Sequence, residues 1–309
     1  MPEIVEVRKT RDFLSKIMKN KYITSISILK GRYKTHKPFD LYYKIRNNLP
    51  LKVLDIKSKG KFMYFILEHD FYIFSTLGLT GGWTYKLNNN DNSKKIRDYK
   101  FPKLLDYISN EKYEKYHKTS INNLNIEFKL KGSNKIVYYY DSLSFGTLKV
   151  IDNKEELEKK LNQIGPDIMD TTTSLDIFID QITKKNNLDK YIGNVIMNQK
   201  VISGIGNYLR SDILWLSRIS PFRKVKDLSH KELEKIYNNS RKLTWENYDL
   251  KTGIKNKIIQ KKDIFPRDFN RNFFVYMCEK DIYDNPVIFE NLYEGSVQRK
   301  IYYCPKYQK

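Results

Sequence analysis

The chain has 309 residues, enough for two or more domains, and its 40% apolar residues, with 24 Tyr and 16 Phe, exclude general disorder. The 57 Lys and Arg exceed the 36 Asp and Glu, which gives a formal net charge of +21 and favours a polyanionic partner. Frequent Lys, Asn, Ile and Tyr are also typical of AT-rich coding sequence, so charge alone is not specific. No apolar run approaches a membrane span and no signal peptide precedes Pro2, so we expect an intracellular protein.

Residues 1–7 read Met-Pro-Glu-Ile-Val-Glu-Val and open a predicted amphipathic helix, because apolar residues recur behind them at helical spacing. Removal of the initiator methionine would leave Pro2 as a free secondary amine, a nucleophile that can form an iminium with an aldehyde-level carbon. Glu3 and Glu6, at i and i+3, could transfer protons beside it. On these residues alone, an ordinary helix start with Pro and acids in the first turn is the better explanation.

Alternating or continuous apolar residues predict an antiparallel meander next, with strands at 22–29, 51–58, 61–67 and 71–77. A second hairpin, 125–131 and 135–140, turns around Gly132 and completes an eight-stranded or similar β-sandwich. Residues 86–123 turn polar and are interpreted as an insertion with a helix near 104–116.

Helical periodicity then dominates, with helices expected at 154–161, 175–182, 191–197, 208–216 and 231–248. The tail from 273 returns to strand-like aromatic pairs and predicts a β-ribbon. We therefore predict an α+β fold in three domains. These are an N-terminal helix with an antiparallel β-sandwich (1–150), a helical domain (151–265) and a C-terminal β-hairpin (266–309).

A glycine-rich run, Gly204-Ile205-Gly206-Asn207, links two of the predicted helices. Its glycines permit a sharp turn with the backbone close to a ligand, and Asn207 can cap the helix that follows. Free amides at a helix N-terminus bind anions. The alternative is a plain turn between two core helices, with Asn207 as an ordinary cap.

Together these motifs resemble the formamidopyrimidine-DNA glycosylase and endonuclease VIII (Fpg/Nei) family of base-excision repair enzymes. The opening is similar to the family's Pro-Glu-Leu-Pro-Glu-Val, with Ile4 and Val5 in place of Leu and Pro. Residues 197–212 are similar to its helix-two-turns-helix, and their Asn-Tyr-Leu-Arg is most like the Nei-like branch. Shorter matches are the glycine turn at 77–82 and the domain linker at 164–167. Residues 141–146, Asp-Ser-Leu-Ser-Phe-Gly, are similar to the family's Asp-Pro-Arg-Arg-Phe-Gly but lack both arginines.

The resemblance implies a bifunctional DNA glycosylase and AP lyase that flips the damaged base, mainly an oxidised pyrimidine, out of the duplex. Pro2 would attack C1′ to form a Schiff base, Glu3 would assist ring opening, Glu6 would position the amine and Lys61 would stabilise sugar or phosphate charge. β- and δ-elimination would follow without a metal or external cofactor. The residues implied in DNA binding are Leu79, Phe145, Lys200, Asn207, Asp212 and Arg299. Leu143 replaces an arginine that pairs with the orphan base in some relatives.

Residues 298–308 match the closing half of the family's zinc finger, but Tyr307 stands where the partner of Cys304 would be. Cys278 stands alone upstream, so zinc is not expected and a zincless finger is predicted. Its hairpin would be held by the packing of aromatic residues, namely Tyr276, Phe289, Tyr302 and Tyr303. Segment 251–270, where some relatives fold a capping loop over an oxidised purine, looks shortened or altered, in agreement with the Nei-like branch.

The expected partner is damaged DNA, double- or single-stranded, bound by a monomer away from membranes. The alternative is a non-catalytic nucleic-acid-binding protein that retains the scaffold. Binding alone needs none of Pro2, Glu3, Glu6 and Lys61, so their joint presence argues against that alternative.

Overall fold

The computed structural model describes residues 2–88, 98–102, 110–249, 273–294 and 297–309. Their contacts divide the chain into two compact units, the first with Pro2 and 6–162 and the second with 3–5 and 163–309. Helix 154–162, which the sequence analysis placed after the first domain break, thus belongs to the first unit. Its Glu156 pairs with Lys149. None of the helices in the described ranges is long and apolar enough to cross a membrane.

The first unit contains a nine-stranded antiparallel sheet with short helices around it. Its helices are α1 (Ile4–Met18, whose first residues are counted with the second unit), α2 (Arg32–Thr35), α3 (Tyr42–Asn47), α4 (Asn110–Asn122) and α5 (Lys154–Asn162). Its strands are β1 (Tyr22–Ile28), β2 (Leu51–Lys59), β3 (Phe62–Leu67), β4 (Tyr72–Thr76), β5 (Gly82–Leu87), β6 (Tyr99–Lys100), β7 (Leu124–Leu130), β8 (Lys135–Tyr140) and β9 (Thr147–Ile151). They lie in the order β6-β5-β8-β7-β1-β2-β3-β4-β9.

The core of this unit follows from the sequence periodicity. Val7, Leu14 and Met18, at helical spacing on α1, are buried with the inward residues of the strands. Trp83 on β5 packs its ring 5.2–5.4 Å from those of Phe65, Phe128 and Tyr139. The predicted meander and second hairpin are confirmed.

Strands β5 and β9 were missed by the sequence analysis. The first begins at a glycine pair and runs into a polar segment, and the second is only five residues long. Each forms because it pairs with an existing strand, β5 with β8 and β9 with β4. Tertiary pairing therefore decides these two strands where local pattern is weak.

The polar insertion contributes helix α4, which covers 110–116 of the predicted 104–116 and continues to Asn122; residues 103–109 lie outside the described residues. His117 on α4 stacks on Phe101 with ring centroids 3.8 Å apart, and Phe101 in turn meets Tyr140 at the end of β8. Burial lowers the pKa of His117 to about 4. A neutral imidazole thus packs between the insertion and the sheet.

The second unit is helical and ends in a hairpin. Its elements are α6 (Leu175–Ile182), α7 (Ile192–Val195), α8 (Asn207–Ser217), α9 (His230–Asp249), β10 (Ile288–Glu294) and β11 (Val297–Tyr303). Leu209, Ile213 and Trp215 of α8 lie at its core. The C-terminal β-ribbon is confirmed, whereas the helix predicted at 191–197 is the single turn α7, because the chain then enters the loop that leads to α8.

Candidate active site

Glu3 caps helix α8 from the other end of the chain. Its carboxylate is 1% exposed and accepts hydrogen bonds from the amides of Gly206 (2.6 Å), Tyr208 (2.9 Å) and Leu209 (3.4 Å). The residue before the helix is Gly206, which has no side chain that could cap it, so a remote carboxylate satisfies these free amides. The negative charge also lies at the positive end of the helix dipole. The carboxylate is therefore fixed in one orientation.

Gly206 is required by this close approach. A Cβ atom at this position would lie 2.2 Å from Cδ of Glu3. The loop before it is held by Gln199, whose side chain donates to the carbonyls of Met197 (2.7 Å) and Ile205 (2.8 Å) and accepts from the amide of Gly204 (2.9 Å). Gln199 was missed by the sequence analysis. Its position at the start of the matched loop, as an amide able to donate and accept at once, was the available signal.

Asn207 begins helix α8 and is the centre of a polar network. Its Oδ1 accepts from the guanidinium of Arg210, which also donates to the carbonyls of Gly193 (3.2 Å) and Lys300 (3.1 Å). Arg210 is fully buried, and the side chain of Asn207 also hydrogen-bonds Tyr276. The network fixes the Asn207 amide and ties the start of α8 to strand β11. Tyr276 was expected only in aromatic packing, so its bond to Asn207 is a new role.

Asp212 lies one turn further along α8 and faces inward. It is 3% exposed and its carboxylate accepts from the amides of Phe274 (3.2 Å), Val275 (3.0 Å) and Tyr276 (3.2 Å). Burial raises the pKa of Asp212 to about 7, although these donors act in the opposite direction. Asp212 thus orders the segment that carries Tyr276, and a direct DNA contact by Asp212 stays a prediction without geometric support.

Lys200 and Arg299 are exposed, as expected of phosphate contacts, Lys200 in the loop before α8 and Arg299 on β11 opposite Leu292. Pro2, Glu6 and Lys61 belong to the first unit and are each half-buried. Lys61 lies in the turn between β2 and β3, directly after Gly60. The catalytic and binding roles of these five residues stay predictions.

The two remaining predicted DNA contacts lie on adjacent loops of the first unit. Leu79 (44% exposed) follows β4, and Phe145 (60% exposed) precedes β9 together with Leu143 (54% exposed). Gly78 lets the loops touch, because a Cβ on it would lie 2.5 Å from the backbone of Phe145 and Gly146. The structure thus brings Leu79 and Phe145 together as neighbouring exposed apolar side chains.

Asp141 holds the two loops together. Its carboxylate accepts from the hydroxyl of Thr80 (2.6 Å) and the amides of Leu143 (3.3 Å) and Gly146 (2.6 Å). Arg32, missed by the sequence analysis, braces the same loop by donating to the carbonyls of Ser144 (3.1 Å) and Gly146 (2.8 Å). Apolar side chains held out to solvent on a rigid double loop are suited to insertion into a duplex.

The C-terminal hairpin shows the predicted aromatic packing. Tyr302 lies 5.3 Å from Tyr276 and 5.7 Å from Phe289, and Tyr303 lies 5.3 Å from Phe222, between ring centroids. Cys304 is buried and carries a free thiol. Among the residues that the structure describes, no group of three or more His, Cys, Asp or Glu could hold a metal ion.

Comparison with known proteins agrees with this architecture. Residues 1–148 match the formamidopyrimidine-DNA glycosylase N-terminal domain, and residues 164–257 match the formamidopyrimidine-DNA glycosylase H2TH domain. The formamidopyrimidine-DNA glycosylase of Oceanobacillus iheyensis is 26% identical over 242 residues, 78% of this chain and 74% of the relative. That of Wolbachia sp. subsp. Brugia malayi is 27% identical over 237 residues, 76% and 74% of the two chains.

Solved structures show the same fold. Lactococcus lactis formamidopyrimidine-DNA glycosylase, non-covalently bound to DNA with an AP site, superposes with a TM-score of 0.71 at 18% identity over 100% of both chains. The Thermus thermophilus protein superposes with a TM-score of 0.69 at 20% identity over 99% of this chain and 98% of its own. The matched domains define a DNA glycosylase of base excision repair. The chain belongs to the Fpg/Nei family.

Proposed function

We propose that the chain is a bifunctional DNA glycosylase and AP lyase in which the nitrogen of Pro2 is the nucleophile. The Glu3 carboxylate carries this proposal. It is the next residue in the chain, and three amides of the α8 start fix its orientation. A carboxylate held in this way can transfer protons beside a free N-terminal amine, since general acid and base groups act from fixed positions.

The reaction follows from these groups. The neutral Pro2 nitrogen attacks C1′, and the damaged base leaves with the electron pair of the glycosidic bond and is protonated. Glu3 takes up the proton that the Pro2 nitrogen loses after its attack and donates it to O4′ as the sugar ring opens, which leaves an iminium between Pro2 and C1′. The iminium acidifies the C2′ hydrogen, so loss of that proton expels the 3′ phosphate, and a second elimination expels the 5′ phosphate. Water then hydrolyses the imine and frees the amine.

We assign supporting roles to the neighbouring predicted residues. Glu6, in the first turn of α1, positions the amine, and Lys61 balances sugar or phosphate charge. The Asn-Tyr-Leu-Arg at 207–210 favours oxidised pyrimidines and hydantoins as substrates. Formamidopyrimidines, named in the relatives, belong in the same substrate panel.

We further propose that DNA is held by phosphate contacts from Asn207, Lys200 and Arg299 and by the apolar side chains of Leu79 and Phe145. Arg210 and Tyr276 fix the orientation of the Asn207 side chain, whose NH2 group can donate to a phosphate, while the backbone amides of Gly206, Tyr208 and Leu209 are already bonded to Glu3. Asp212 acts only indirectly, because a buried carboxylate would repel a phosphate and is already bonded to three amides.

The test is borohydride trapping on duplexes that carry an abasic site or thymine glycol, with removal of Met1 confirmed by mass. We expect a covalent adduct that maps to Pro2. The matched control inserts Ala between Met1 and Pro2, which makes the Pro2 nitrogen part of a peptide bond and should abolish the adduct. Tight DNA binding without an adduct on either substrate would overturn the lyase and assign a non-catalytic binder.

A further inference from the structure

The C-terminal hairpin has two chemically different faces. Residues directly opposite each other in the ladder share a face, and the pairs are Phe289 with Tyr302, Asn291 with Lys300 and Tyr293 with Gln298. We call these six side chains the aromatic face. The other face carries Leu292, Ile301 and Tyr303, which are buried. The second face attaches the hairpin to its unit, and on the aromatic face Tyr302 adds to that attachment through Tyr276, whereas Phe289 and Tyr293 are more than half exposed.

Burial does not account for the rings of the aromatic face. Phe289 is 53% exposed and Tyr293 is 63% exposed, and both lie on β10 four residues apart. Tyr302 is half-buried against Tyr276, which explains that ring by packing. A single exposed aromatic side chain is ordinary, but this strand face presents two exposed rings, Phe289 beside Tyr302 and Tyr293 four residues further along.

The polar members of the face add a charge preference. Lys300 places its ammonium 4.2 Å from the ring centroid of Phe289, and the remaining members are the amides Asn291 and Gln298. None of the six side chains is acidic. Rings for stacking, a cation for phosphate and amides for base edges are the groups that bind single-stranded nucleic acid.

We propose that the aromatic face binds single-stranded DNA by stacking unpaired bases on Phe289 and Tyr293 while Lys300 contacts the backbone. The proposal rests on the function proposed above and adds the strandedness of the DNA. Bases within a duplex are already stacked on each other and cannot use these rings, whereas a duplex backbone needs only cations. The face is also continuous with the proposed phosphate site, because Tyr302 contacts Tyr276 and Tyr276 hydrogen-bonds Asn207.

Binding of fluorescently labelled oligonucleotides tests the proposal. A dT oligomer and a lesion-free duplex of the same length are titrated with the full chain and with Phe289→Leu and Tyr293→Leu, which keep an apolar side chain but remove the ring. We expect each variant to lose about fivefold or more in affinity for the single strand, the lower end of the range for one stacked base, and clearly less for the duplex. Ile288→Ala, on the opposite face of the same strand and 42% exposed, is the matched control and should bind as the unaltered chain does.

A second readout keeps the test independent of folding. An oligonucleotide with 2-aminopurine should change its fluorescence on binding to the unaltered chain, and should do so less with the leucine variants, while thermal unfolding checks that the variants are folded. Equal losses for single strand and duplex, or no loss in folded variants, would overturn the proposal. Equal losses would instead assign the rings to duplex binding.

The outcome is separable from that of the lyase experiment. An adduct at Pro2 together with ring-independent binding of single strands would refute the aromatic face and leave the lyase intact. Ring-dependent binding of single strands without an adduct would refute the lyase and leave the aromatic face as a binding surface.

Discussion

Two carboxylates organise the candidate site in the same way and with different results. Glu3, in the second unit, gathers the amides of the α8 start, and Asp141, in the first unit, gathers Thr80, Leu143 and Gly146. We call these two sets of hydrogen bonds the Glu3 clamp and the Asp141 clamp. The Glu3 clamp fixes the carboxylate to which we assign proton transfer, whereas the Asp141 clamp holds the loops that carry Leu79 and Phe145, both exposed. Although the chain has a net charge of +21, these two buried acids, Glu3 and Asp141, hold backbone amides in place.

Replacing Glu3 by Gln should have the largest effect. The amide keeps the size of the side chain but cannot transfer the proton, and its NH2 group faces amide donors. We expect the rate of borohydride adduct formation to fall about 100-fold or more, with a loss of about 1–2 kcal/mol in the free energy of unfolding. Glu158→Gln, a surface acid on α5, is the control. A Glu3→Gln rate close to that of the unaltered chain would show that the clamp is only structural.

Gly206→Ala should break the same clamp from the other side. The new Cβ would collide with Cδ of Glu3, so either the carboxylate or the helix start must move. We expect a loss of about 2–3 kcal/mol in urea unfolding, together with slower adduct formation. Gly132→Ala is the comparison, because no atom lies within 4 Å of its new Cβ; its backbone is left-handed (φ 62°) whereas that of Gly206 is extended (φ −125°), so it sets an upper limit on the backbone cost. If both variants lose the same free energy of unfolding, the effect comes from replacing a glycine in the backbone and not from the collision with Glu3.

Asp141→Asn should weaken the other clamp by a smaller amount. The carboxylate of Asp141 has two oxygens that accept from Thr80, Leu143 and Gly146, whereas the amide of Asn has only one oxygen that can accept. We therefore expect a loss of about 1–2 kcal/mol in the free energy of unfolding and weaker binding of duplex DNA. A double-mutant cycle with Thr80→Val isolates the shared bond, and strict additivity of the two changes would contradict the clamp.

Asp212→Asn should have the smallest effect on adduct formation, because Asp212 acts only indirectly, and should give stability a distinctive pH dependence. Burial raises the pKa of the folded Asp212 to about 7 from its ordinary value of 3.8, so the folded state favours the protonated acid. Its contribution to stability is therefore full below about pH 4 and is lost as the pH rises through 7. Urea unfolding from pH 4 to 8 should show the unaltered chain losing stability relative to Asp212→Asn over that window. If the unaltered chain instead gains stability relative to Asp212→Asn as the pH rises, the hydrogen bonds from the amide donors outweigh the effect of burial.

The sequence identified some residues of the two clamps and their surroundings but not others. Glu3 and Asn207 stand in short motifs, and the helical spacing behind Glu3 predicted α1 well. Gln199, Arg32 and the polar role of Tyr276 were missed, because their partners are backbone groups or side chains that no local pattern reveals. Asp212 was found by its place in the motif but its predicted task was DNA contact, since only the fold shows the amides of 274–276 around its carboxylate.

If Glu3 acts as proposed, its hydrogen bonds to the start of α8 also limit when the protein can become active during its own synthesis. Its donors lie 203, 205 and 206 residues downstream of the carboxylate. At about 5–20 residues per second, roughly 10–40 s separate the synthesis of Glu3 from that of Gly206. Over that interval the nascent chain has its N-terminal amine but lacks the groups that orient the acid beside it. In the proposed mechanism, cleavage of DNA becomes possible only once residues 206–209 have been made, about two thirds of the way along the 309 residues, so shorter nascent chains lack the oriented acid.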